Sequence, residues 1–353
     1  MDGKGTNQLV KGALVLTLAG LLSKILSAGY RIPLQNLTGD IGFYIYQQVY
    51  PLLGIATVLA LYGFPSAIST LTAKTKQQGG SLTFRFFYGP IFMALFAICS
   101  LVFVFLYMNA EALSVWMGNE KLVDTYKMAA FVFLSIPFTS LLRGVLQGVQ
   151  HMRPTAYSQI GEQIARVSLI IMAAYYISVE GMNIYNIGYA AGIASLAGAL
   201  CAIVILVYFF VKNRPQEAGT ANLSWSYLIR TLILFGLIAS LNHMILIIIQ
   251  FADSFTLVPG LRDYGLAQVE AMKLKGIFDR GQPLIQIGAV FGSSFALALI
   301  PNLTNRKMKT FSAESYTSVQ SAFKFSFYLS FAAMIGLILI YPEVNTLLFQ
   351  NNQ

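Results

Sequence analysis

The chain has 353 residues and a formal net charge of +9, with 56% of its residues hydrophobic and only 10% charged; its mean hydropathy is +0.66. A soluble domain carries about 25% charged residues, so these charges are too few to clothe a water-facing surface, and an integral membrane protein follows. Two cysteines without metal-ligand spacing and two histidines argue against a metal centre, and neither a metal nor another cofactor is expected.

A membrane crossing needs about 20 predominantly apolar residues. Nine stretches meet that requirement, near 9–30, 42–63, 86–108, 126–149, 156–178, 184–211, 228–251, 281–302 and 322–341. The expected fold class is therefore all-α: a polytopic, multi-pass cell-membrane protein with about nine transmembrane helices. The opening MDGKGTNQLVKGALVLTLAG has a basic flank but no small-residue cleavage site, and it reads as the first crossing rather than a signal peptide.

Within that first crossing, Lys24 of GALVLTLAGLLSKILSAGY lies past the bilayer midplane. A lysine facing lipid at that depth costs about 2.5–3.5 kcal/mol, so Lys24 either snorkels to the outer headgroups or lines a hydrated cavity. Arg31 follows seven residues later and is expected close to the same helical face. The second crossing begins at YQQVYP, where Gln47 and Gln48 offer neutral hydrogen-bonding groups. Cys99 in the third crossing and Cys201 in the sixth read as small buried hydrophobes.

Pro137 is placed to kink the fourth crossing. The pairs Gly144/Gly148, Gly188/Gly192 and Gly288/Gly292, each four apart, read as close helix contacts. In the fifth crossing, Glu162 and Arg166 stand at i,i+4 with the acid first, the favourable order for an ion pair. They form either a structural pair or a relay for protons or cations. Asn242 and His243 in the seventh are expected to face protein or water. The piece at 252–277 is mixed in sign and is expected outside the membrane.

The eighth crossing opens on FDRGQP at 278–283. Asp279 reads as a helix cap or a site residue. Arg280 points inward or to headgroups, and an arginine can grip a phosphate through two parallel hydrogen bonds. Laid over YQQVYP, this stretch suggests a repeat. Leu71 and Thr72 follow Pro51 at the same distances as Leu303 and Thr304 follow Pro283, as in duplicated transporter halves. The halves would be domains, 1–215 with six helices and 216–353 with three. With the N-terminus in the cytoplasm, fourteen of the 23 basic residues fall inside and five outside. The positive-inside rule thus accounts for much of the charge, and nucleic acid is not an expected partner.

LLSKILSAGYRIPLQNLTGDIGFYIYQQVYPLLG and KGIFDRGQPLIQIGAVFGSSFALALIPNLT resemble bacterial lipid-linked oligosaccharide flippases of the multidrug, oligosaccharidyl-lipid and polysaccharide exporter superfamily. The resemblance is nearest to the polysaccharide-biosynthesis and stage V sporulation protein B branch, related to lipid II flippases. It implies two lobes around a cavity that opens alternately to either side. It also implies transport of undecaprenyl-pyrophosphate-linked sugars for the cell wall or for sporulation, with no bond chemistry and hence no enzyme activity. The family's first-helix serine–arginine pair aligns with Ser23 and Lys24, and its next arginine and aspartate with Tyr30 and Arg31. Its eighth-helix Asp-Arg aligns with Asp279 and Arg280, while a following glutamate becomes Pro283 and a second-helix arginine falls near Ile55. The substrate-binding residues so implied are Lys24, Arg31, Gln47, Gln48, Asp279 and Arg280. Members of the family have fourteen helices, so the second lobe is expected to be incomplete, and a separate chain supplying further helices is an expected partner alongside membrane lipids. A cation-coupled drug exporter and a non-transporting scaffold for envelope or spore assembly are the competing classes.

Overall fold

A computed structural model describes residues 3–80, 82–213, 224–289 and 313–349. All regular structure in them is helical: α1 (Gly3–Gly29), α2 (Arg31–Val58), α3 (Phe64–Gln77), α4 (Gly89–Met108), α5 (Ala110–Trp116), α6 (Val123–Phe131), α7 (Ile136–Gly148), α8 (Arg153–Val179) and α9 (Asn186–Lys212). There follow α10 (Trp225–Arg230), α11 (Gly236–Asp263), α12 (Gln268–Asp279), a helix α13 over 281–289 and α14 (Ala313–Phe349).

Seven stretches of the described residues are long and apolar enough to cross a membrane. This is an all-α, polytopic bundle, although seven is fewer than the nine crossings expected. One reason is that the first two predicted crossings share a single stretch, Leu14–Gln77, of 64 residues. At 1.5 Å per residue it would measure about 96 Å, three times a hydrocarbon core of about 30 Å. The chain must therefore turn within it. It does so at Gly39, whose φ of 66° interrupts α2 in a region that glycine enters without strain. A second reason is that 290–302, most of the eighth predicted crossing, lies outside the described residues, as do Gly292 and the Leu303–Thr304 pair of the repeat.

The fourth crossing is divided as Pro137 suggests. After α6 comes a 3₁₀ turn at Val132–Ser135, and Pro137 then occupies the first turn of α7, where its missing N–H costs nothing. The piece at 252–277, expected outside the membrane, is largely helical. α11 continues to Asp263, and after a turn α12 takes up the rest.

Small residues set the tight seams. A Cβ on Gly144 would stand 2.5 Å from the Ile68 Cβ and 3.0 Å from the Pro65 carbonyl, so α7 lies directly on α3. Gly188 and Gly192 do the same for α9 against α6, at Thr125 and Met128. On α9, Gly198 faces the Glu162 carbonyl at 2.8 Å, which draws α8 close. Both cysteines are free; Cys99 is buried and Cys201 partly so.

Candidate functional site

Helices α1, α2, α8, α9, α11 and α13 enclose a cavity of about 550 Å³, within the range of small-molecule sites. Tyr30, Tyr46 and Tyr50 line it toward the end that the charge bias assigns to the outside, and Tyr62 and Gln159 line it toward the other. The Tyr62 ring stacks on His243, with centroids 3.8 Å apart.

The cavity wall has one sign of charge. Among the described residues its lining includes Lys24, Arg166 and His243, and no aspartate or glutamate. Lys24 thus faces the cavity rather than snorkelling to headgroups. Ser23 beside it is 8% exposed, and its Oγ has no hydrogen-bond partner.

Arg166 reaches the wall through an ion network. The Glu162–Arg166 pair predicted from spacing forms, Arg166 Nη2 donating to Glu162 Oε1 at 2.5 Å. The second carboxylate oxygen accepts from Arg143 Nη2 at 2.7 Å. Arg143, in the fourth predicted crossing, is among the fourteen basic residues that the charge bias assigns to the cytoplasmic side. It is instead fully buried, also donating to Ser158 Oγ at 3.1 Å and to the Ala60 carbonyl at 3.2 Å. Ala60 lies in the wide π-type turn Leu59–Gly63 that continues α2; such a turn disturbs the regular ladder and offers the carbonyl to an outside donor. Both Glu162 oxygens are taken by arginines.

Arg31 does not share the Lys24 face, because α1 ends at Gly29 and Arg31 begins α2. It is fully buried, with its guanidinium 3.9 Å from the centroid of the Tyr50 ring, a cation–π contact. Its three nitrogens have no hydrogen-bond partner of normal geometry. The Tyr30 and Tyr46 hydroxyls, hydrogen-bonded to each other, belong to the cavity wall, so the cation sits directly behind a tyrosine layer.

The other expected site residues gather outside the cavity, in a closure between α2 and the α11–α12 region. Arg280 is fully buried and binds Asp40, its Nε donating to Oδ1 at 2.9 Å and its Nη2 to the same oxygen. Gln35 Nε2 donates to that oxygen too, at 2.9 Å. Asp279 is the last residue of α12 and accepts from Lys275 one turn earlier, rather than capping the next helix. Burial pushes the Asp279 carboxyl up to about 6, with the Lys275 ammonium drawing it the other way. Gln48 is buried and directs its Nε2 to the Ser254 and Met117 carbonyls, both at 3.4 Å, while Gln47 is buried with an unpartnered Oε1. Gln250 Nε2 donates to Gln282 Oε1 at 2.8 Å. Gly276 is what lets α12 approach: a Cβ there would overlap the Asp40 carbonyl.

The structure therefore brings Lys24 and Arg166 to one cavity. It places Arg31 behind the wall and sets Gln47, Gln48, Asp279 and Arg280 in the closure or beside it. Asp40, Arg143, Gln163 and Lys275 were not singled out from sequence. For Asp40 a signal existed, since it is the sole charged residue between Arg31 and Lys74. No cluster of three or more potential metal ligands occurs among the described residues.

Known proteins place this architecture. The chain is 38% identical to the membrane protein YabM of Bacillus subtilis over 97% of its own length and 64% of that protein's. It is 27% identical to the lipid II flippase MurJ of Bacillus subtilis, over 89% of this chain and 59% of that one. It is 28% identical to stage V sporulation protein B of the same organism, over 57% of this chain and 38% of that one. The chain thus spans about three-fifths of the length of the first two relatives. Its fold is similar to a multidrug-resistance MATE transporter of the MOP superfamily solved in an inward-facing conformation, with a TM-score of 0.53 at 15% identity, covering 94% of this chain and 72% of the other. Residues 9–307 match the family described as Polysaccharide biosynthesis protein. The chain belongs to that family and, with seven candidate membrane spans among its described residues, is a multi-pass membrane protein.

Proposed function

We propose that this protein moves polyprenyl-pyrophosphate-linked sugars across the cell membrane by alternating access, for envelope polysaccharide or peptidoglycan synthesis. The observation that carries this reading is the charge of the cavity wall, which holds Lys24 and Arg166 and no carboxylate among the described residues. Such a wall attracts a multiply charged phosphate head and repels nothing in it. The polyprenyl tail stays in lipid. Residues 1–215 act as one lobe and 216–353 within the other. Lys24 receives the head group, and Arg31 adds its field from behind the tyrosines. Gln47, Gln48, Asp279 and Arg280 serve the outer closure, which supports a resting state open toward the cytoplasm.

The fold likeness to a multidrug transporter keeps one alternative, a cation-coupled drug exporter. Such an exporter needs an available acid in its site, and Glu162 gives both oxygens to arginines. The decisive experiment reconstitutes the protein in liposomes with a labelled polyprenyl-pyrophosphate sugar, alone and with the downstream helices of a relative supplied as a second chain. Movement of the label between leaflets in either arrangement is expected. No movement in both, with drug efflux driven by a sodium or proton gradient instead, refutes the flippase reading. Full in vivo function of a Lys24→Leu/Arg280→Leu variant would favour a scaffold.

A further inference from the structure

The Arg143–Glu162–Arg166 cluster holds one carboxylate between two guanidinium groups, which leaves one net positive charge. Only one of its cations can deliver that charge to a ligand. Arg143 is fully buried in the bundle, whereas Arg166 lines the cavity and keeps its Nε without a hydrogen-bond partner. Two neighbours on the same wall are in a similar condition. Gln163, three residues before Arg166 on α8, is 6% exposed with an unpartnered Nε2, and Ser23 on α1 has its unpartnered Oγ. α1 packs along α8, with Gly20 of α1 facing the Gln159 amide at a Cβ distance of 3.7 Å. Buried donors lacking partners are costly, and a group of them around two cations fits an anion with several oxygens.

We propose that Arg166 and Gln163 of α8 complete the seat that Ser23 and Lys24 of α1 begin for the pyrophosphate oxygens of the transported lipid, and that Arg143 is a positioning residue which keeps Arg166 positive by sharing Glu162. The choice of pyrophosphate rests on the flippase reading above; the location of the seat does not. Every group in it comes from α1 or α8, so recognition of the anion needs no residue from the second half of the chain. Without Arg143, Glu162 would neutralise Arg166 outright. Without both Arg143 and Glu162, Arg166 would regain its charge.

The test measures binding of geranylgeranyl pyrophosphate, and of geranylgeraniol as the uncharged control, to the purified full chain in lipid nanodiscs. The parent is expected to prefer the pyrophosphate. Arg166→Gln should weaken pyrophosphate binding by about tenfold to a hundredfold, the scale of a lost charge-assisted contact, and leave geranylgeraniol unchanged. Arg166→Lys should fall between the two. Arg143→Met should weaken pyrophosphate binding by about tenfold although Arg143 never meets the ligand, and Arg143→Met/Glu162→Gln should restore it to within about threefold. A merely structural role for Arg143 predicts no such rescue. If Arg143→Met does not fold, Glu162→Gln alone carries the charge argument, since it must keep or tighten binding; weaker binding there overturns it. Equal pyrophosphate affinity in Arg166→Gln and the parent overturns the seat while leaving the flippase reading intact. A parent with no preference for pyrophosphate over geranylgeraniol sinks the flippase reading itself.

Discussion

Replacing Asp40 with leucine tests whether the closure is an energetically coupled unit. The Asp40 Oδ1 accepts from Arg280 Nε and Gln35 Nε2, each at 2.9 Å, and also from Arg280 Nη2. The two charged side chains are 0% and 5% exposed. Removing one member of such a pair costs about 3–5 kcal/mol, because the remaining charge stays buried. Asp40→Asn keeps the shape and an acceptor but replaces charge-assisted bonds with neutral ones, so its cost should be roughly half. The double variant Asp40→Leu/Arg280→Leu removes both charges and should recover most of the loss. Cys99, 3% exposed, makes a convenient probe: a thiol-reactive fluorophore in detergent reports unfolding as the cysteine becomes accessible. A shift on the order of 5–10 °C downward is expected for Asp40→Leu, with smaller shifts for Asp40→Asn and the double variant. Equal midpoints for Asp40→Leu and the parent, or a double variant worse than either single one, would refute the coupling.

Arg31→Met should raise the same midpoint, since it removes a buried charge that makes no hydrogen bond of normal geometry and rests on a ring face worth about 2 kcal/mol; a fall of several degrees would refute this. Gly144→Ala should lower it, at a stability cost of about 1–3 kcal/mol, through overlap with Ile68, whereas Gly260→Ala, which meets nothing within 4 Å, should be neutral or stabilising. Asp279 should confer a pH slope. Its carboxyl titrates near 6 when folded against an ordinary 3.8, so the folded state holds the proton longer. Its stabilising contribution is present below about pH 4, is lost as pH rises to about 6, and is flat above. Asp279→Asn should abolish that slope in the thermal midpoint measured from pH 4 to 7.

How much of this was legible depended on whether partners were near in sequence. Lys24 announced itself, because an amine deep in an apolar run demands water or a partner. The Glu162–Arg166 pair was written in its spacing of four. Arg143 was not, because its bond to Glu162 needs the α7–α8 turn and the helix packing that sets their relative rotation. Arg280 was noticed but misplaced, since its carboxylate partner lies 240 residues earlier in TGDIG, a stretch that reads as an ordinary turn. Arg31 fell on a corner between helices, and extending the α1 periodicity across that corner gave it the wrong face. Hydropathy located most crossings but not the long run of α11 past residue 251, because scattered charges there lower the average without stopping the helix.

The seal between α2 and the α11–α12 face has a mechanical consequence. Beside apolar contacts such as Ile247 of α11 against Gly54 of α2, it carries amides, hydroxyls, carboxylates and a guanidinium. Were those faces to separate, each released group would be met by solvent, at a net expense near 1 kcal/mol per neutral bond. A greasy seam of equal size would instead resist wetting in proportion to its area. The polar part of this latch can therefore hold firmly while shut and still let go at a modest cost, leaving the apolar contacts to set most of the work of opening.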